Sequence, residues 1–102
     1  MRIAFERTGG FAGMQLSVEL NTGALPKEAA QELEEMVKSI PFFDLPPSML
    51  SPTPEADRFF YKVTVRQGFR KHTVEMSESA TPESVQPLVD RLIAEARAGR
   101  GG

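Results

Sequence analysis

Cysteine is absent from this 102-residue chain, which excludes disulfides, thiolate metal sites and cysteine nucleophiles. Histidine occurs once, as His72, and no set of His, Asp and Glu recurs at ligand spacing. No metal site of its own and no cofactor are therefore expected. There is no Gly-x-Ser-x-Gly nucleophile elbow. The run Gly9-Gly10-Phe11-Ala12-Gly13 lacks the lysine of a phosphate loop and is not followed by a helix. No segment is long and apolar enough to span a bilayer, and Met1 to Arg7 lacks the apolar core of a signal peptide. A soluble cytoplasmic protein is the expectation. The formal net charge is only -2, so neither nucleic acid nor an acidic membrane is an expected partner. Little here supports catalysis, and the chain reads as a non-enzyme.

What is present is enough for one small core. With 40% hydrophobic and 25% charged residues, the chain fits a single globular domain, placed at residues 1–98. Residues 99–102, Gly-Arg-Gly-Gly, read as a flexible tail.

Ile3 and Phe5 alternate with Arg2, Ala4 and Glu6, which predicts a first strand. Thr8 to Gly13 reads as a hairpin loop. Met14, Leu16, Val18 and Leu20 alternate with Gln15, Ser17 and Glu19, a strand apolar on one face. A helix is predicted from about Pro26 to Ile40, with Ala29, Ala30, Leu33, Met36, Val37 and Ile40 on one stripe and Glu34–Lys38 as an i,i+4 pair. Phe59, Tyr61, Val63 and Val65 share one face of a third strand. His72, Val74 and Met76 share one face of a fourth, where His72 is expected to be packed or half-exposed. Thr81-Pro82-Glu83 predicts the start of a second helix. Its stripe is Val85, Leu88, Val89, Leu92, Ile93 and Ala96, and Pro87 kinks it or delays its regular start. The order ββαββα predicts an α+β fold: a four-stranded antiparallel sheet with two helices packed on one face.

Pro41 to Tyr61 stands apart. Five of the eight prolines fall there, yet Phe42, Phe43, Leu45, Met49 and Leu50 are apolar. It reads as an ordered loop that presents side chains. The topology predicts that Thr8–Gly13 and Pro41–Asp57 lie side by side at one end of the sheet, a common setting for a binding site. Phe11, flanked by glycines, suits an anchor for a partner's pocket. Asp57 is either a solvated or capping carboxylate, paired for example with Arg58, or one displayed beside an apolar loop.

The segments Met1 to Gly13, Phe42-Phe43-Asp44-Leu45-Pro46, Ala56-Asp57-Arg58-Phe59-Phe60-Tyr61, His72-Thr73-Val74 and Pro87-Leu88-Val89-Asp90 resemble the emfourin family, in order along nearly the whole chain. The resemblance implies a bacterial protein inhibitor of protealysin, a thermolysin-like zinc metallopeptidase. It implies two neighbouring loops, one giving an aspartate to the enzyme's catalytic zinc and the other filling substrate subsites. Carried onto this chain, Asp57 is the first choice for the zinc ligand and Asp44 the second. Gly10, Phe11, Ala12, Gly13 and Met14 form the contact loop, with Met49 and Leu50 as additions. The free protein is expected to be a monomer.

Two other readings compete. A terminal Gly101-Gly102 is shared with ubiquitin-like sulfur carriers, although the last predicted element here is a helix, whereas such tails extend from a strand. The other is a non-catalytic interaction module with no protease partner.

Overall fold

A computed structural model describes residues 1–10, 15–53 and 58–99. The sheet follows from apolar–polar alternation. β1 (Arg2–Gly9) buries Ile3 and Phe5, and β2 (Leu16–Asn21) buries Val18 and Leu20. β4 (Phe59–Gln67) buries Tyr61, Val63 and Val65, and β5 (Arg70–Ser77) buries Val74 and Met76. The residues between them, among them Glu19, Lys62, Arg66, Lys71 and Glu75, face solvent. α1 (Lys27–Ser39) and α2 (Gln86–Arg97) close the apolar face, joining Leu33, Val37, Leu88, Val89 and Leu92 to the strand residues in one core.

The sheet has five strands, in the order β2-β1-β4-β5-β3, where β3 is the short strand Ser48–Met49. The expected four are present and pair antiparallel with one another. The fifth, β3 (Ser48–Met49), lies inside the proline-rich stretch and runs parallel to β5. Prolines are tolerated beside an edge strand because only one side of its backbone must pair. Pro47 donates no N–H, but its carbonyl accepts from the Glu75 N–H at 2.9 Å. β1 is also longer than its sequence suggests. Thr8 and Gly9, expected in the hairpin loop, pair with Phe60 and Phe59 of β4.

The proline-rich stretch does not stay at one end of the sheet, as its sequence position suggests. α1 carries the chain from Thr22, beside β1 and β2, over to Phe42, beside β5. Near β1 and β2, the Thr22 hydroxyl donates to the Glu34 carboxylate at 2.7 Å, so Glu34 is drawn toward Thr22 and not to Lys38. Beyond α1, Phe42 packs edge-on against His72 of β5 at 5.7 Å. His72 Nε2 donates to the Leu45 carbonyl at 2.7 Å, which makes the half-buried histidine a clamp on the loop. The chain then follows the β5 edge through β3 until the Ser51 N–H meets Ser77 Oγ at 2.7 Å.

α2 starts later than Thr81-Pro82 suggests. The Thr81 hydroxyl donates to the Ser77 carbonyl, and Pro82 O accepts from the N–H groups of Val85 and Gln86 in a preceding turn. Pro87 falls in the first turn of the regular helix, where a missing N–H has no intrahelical partner to lose. Arg91 ties the helices together, donating to Glu32 of α1 at 2.6 Å and to Glu95 at 3.1 Å.

Leu33 is fully buried between α1 and the sheet. Leu33→Ala is expected to cost about 2–5 kcal/mol through lost transfer energy and a residual cavity. Urea unfolding would show this as a lower midpoint at unchanged slope.

Candidate functional site

The register of β1 against β4 determines which loop ends meet. Arg2 pairs with Arg66, and the pairing continues to Gly9 opposite Phe59. One residue further, the Gly10 N–H donates to the Arg58 carbonyl at 2.7 Å. The chain leaves β1 and enters β4 through this junction.

Both glycines are required there. Gly9 has φ 92° and Gly10 φ 85°, the left-handed region that side chains with Cβ avoid. A Cβ on Gly9 would lie 2.5 Å from the Arg58 carbonyl oxygen, and one on Gly10 would lie 2.9 Å from the Phe59 ring. Arg58 is held from its other side as well, its N–H donating to Glu78 Oε1 at 3.1 Å from the turn after β5. Arg7 stacks its guanidinium on Phe59, 4.3 Å from the ring centroid. Its Nε is buried with no hydrogen-bond partner among the described residues. Nothing local in the sequence marks Arg7 or Glu78, because both contacts exist only once the strands are in register.

Next to the junction, on the open face of the sheet, Leu50, Phe60 and Thr8 border a shallow cavity of about 370 Å³ with Glu6, Lys62 and Glu75. Leu50 is 57% exposed and Phe60 37%, an apolar pair that a partner can cover. A larger cavity of about 510 Å³ is lined by Ala4, Glu6, Ser17, Glu19, Lys62 and Thr64, with Ala96 and Gly99 at its border. Among the described residues, no group of three His, Asp or Glu could hold a metal ion. No described helix is long and apolar enough to cross a membrane.

Of the residues singled out from sequence, Gly10 and Leu50 stand at this end of the sheet. Met49 lies in β3 opposite Met76 and is partly buried against the core. Asp44 lies elsewhere: its turn, Phe42–Asp44, borders Gln67 and Arg70 at the far end of β4. At ~3.3 Å per strand residue that is roughly 25 Å from Gly10. Phe11, Ala12, Gly13, Met14 and Asp57 lie outside the described residues, as do Gly101 and Gly102.

Burial raises the Tyr61 phenol above its ordinary value of 10.0; the Glu78 carboxylate adds to this and the Arg7 charge opposes it. The folded state therefore favours the neutral phenol. That stabilisation is complete below pH 10 and is lost as pH rises through the folded pKa. Tyr61 is the sole tyrosine, so phenolate absorbance reads it alone. The native protein should titrate at higher pH than the unfolded chain. Gly9→Ala is expected to cost more than about 1 kcal/mol, because the backbone there is incompatible with a Cβ. Thermal melts should show the loss, and amide exchange at Gly10 should accelerate.

No curated protein and no solved structure matches the chain. The family model described as Emfourin matches residues 5–93. That span runs from β1 into α2 and includes the β1–β4 junction, and on this match the chain belongs to the emfourin family.

Proposed function

We propose that this chain is a protein inhibitor of thermolysin-like zinc metallopeptidases, of the protealysin type, and has no catalytic activity of its own. The observation that carries the proposal is the Gly10 N–H to Arg58 O hydrogen bond. It joins the residue before Phe11 to the residue after Asp57. The two segments that carry Phe11 and Asp57 are thus tethered at one point of the sheet, which would limit the entropy lost when both engage a partner.

The target enzyme holds its zinc with three protein ligands and keeps one position for water. The Asp57 carboxylate would take that position and exclude the water that attacks the peptide bond. Phe11, Ala12 and Met14 would occupy substrate subsites, and the exposed Leu50 would extend the contact on the same side. Asp57 is retained over Asp44 because Asp44 borders Gln67 and Arg70, a strand length away. Met49 contributes less than Leu50, since its side chain already packs against the core.

The test is hydrolysis of a peptide substrate by thermolysin at rising concentrations of the purified chain. Wild type should suppress the rate. Asp57→Ala should weaken inhibition by about 2 kcal/mol or more, roughly thirtyfold in the inhibition constant. Deleting Gly101 and Gly102 should change nothing, which a sulfur-carrier role would not allow. Full peptidase activity in a large excess of wild type would refute the proposal.

A further inference from the structure

The end of the sheet farthest from the Gly10–Arg58 junction has its own chemistry, and the inhibitory reading does not use it. β4 and β5 are joined there by the turn Gly68-Phe69. Gly68 has φ 61°, and a Cβ there would meet nothing within 4 Å. Phe69 is fully exposed, more so than any other large apolar residue among those described. An aromatic ring held out on a tight turn is not explained by the core.

The charges around it are also unusual. In register across three adjacent strands, Arg2 stands opposite Arg66 and Arg66 opposite Lys71. Like charges directly opposite one another destabilise a sheet. The three line one shallow cavity of about 220 Å³ with Thr64 and Glu19. Arg70, beside the turn, is held 4.0 Å over the Phe43 ring, and Lys38 borders the same small cavity as Arg70 and Asp44. None of these cations makes a salt bridge among the described residues. Glu19 and Asp44 line the two cavities with these cations, and the Glu34 carboxylate accepts from Thr22. The net charge of -2 therefore hides a locally basic pole.

We infer that this pole docks on an anionic lipid surface, with Phe69 entering the headgroup region and Arg2, Arg66 and Lys71 facing the lipid phosphates. A single ring on a two-residue turn is convex and small. It falls far short of the roughly 800 Å² that a stable protein partner covers on each side. A fluid interface needs no matching shape, only an amphipathic tip and nearby cations. An anionic surface would also relieve the repulsion along the Arg2–Arg66–Lys71 row. The Gly10–Arg58 junction lies at the other end of β4 from this pole.

The test is co-sedimentation of the full chain with vesicles of phosphatidylcholine alone and with about 30 mol% phosphatidylserine added. Wild type should pellet with the anionic vesicles only and be released by roughly 0.5 M salt, which screens the attraction. Phe69→Ser, and separately Arg66→Glu combined with Lys71→Glu, should each reduce binding about fivefold or more. Phe69→Ser alters no packed residue, so its melting temperature should match wild type. Equal binding to both vesicle types, no binding by wild type, or unchanged binding by both variants would overturn the inference. So would capture of acidic soluble proteins without vesicle binding, which would assign the pole to a protein partner. Phe69→Ser should inhibit thermolysin as wild type does, so the outcome here is separable from that of the inhibitor proposal.

Discussion

The antiparallel registration of β1 against β4 is the constraint on which the rest depends. These are inner strands of the sheet, and their side chains alternate between a packed face and a wet one. A slip of one residue would turn Ile3 and Phe5 out and bring Arg2, Ala4 and Glu6 in. The core therefore enforces one alignment, and that alignment carries Gly10 to the Arg58 carbonyl. The site's geometry is inherited from a packing requirement several residues away.

The stretch from Pro41 to Thr53 has a second, structural duty. An exposed edge on β5 would offer unpaired backbone groups to other chains. β3 covers part of that edge, with the Glu75 N–H taken by Pro47 and Ser77 Oγ engaged by the Ser51 N–H. His72 fixes the start of the strap through the Leu45 carbonyl and the Phe42 ring. The single histidine is accounted for by this clamp. The strap also separates its two halves, leaving Asp44 near the β4–β5 turn and Leu50 near Thr8 and Phe60.

The molecule is consequently polarised along its strands. At one end stand a glycine junction with strict backbone demands, an arginine stacked on Phe59 and an exposed Leu50–Phe60 pair. At the other stand an exposed ring and a row of cations. The core lies between them. Polarity of this kind comes from strand direction, since residues far apart in sequence collect at whichever end their strands begin or finish.

Local pattern was enough to identify the four main strands, both helices and most of the residues they bury, among them Ile3, Phe5, Val18, Leu20, Leu33, Val37, Leu88, Val89 and Leu92. Period-two and period-3.6 burial is a property of neighbouring residues and can be read without the fold. The family resemblance was likewise legible, because it rests on the order of short segments. Other features were decided only by tertiary structure. β3 was invisible, since two residues among prolines carry no period and pair only because β5 presents an open edge. The path of α1 across the sheet was equally hidden: its stripe says which face is buried and nothing about direction. That crossing is what moved Asp44 to the far end. The basic pole could not be seen in a net charge of -2, because charge is summed along the chain but felt across strands, and only registration puts Arg2, Arg66 and Lys71 in one row.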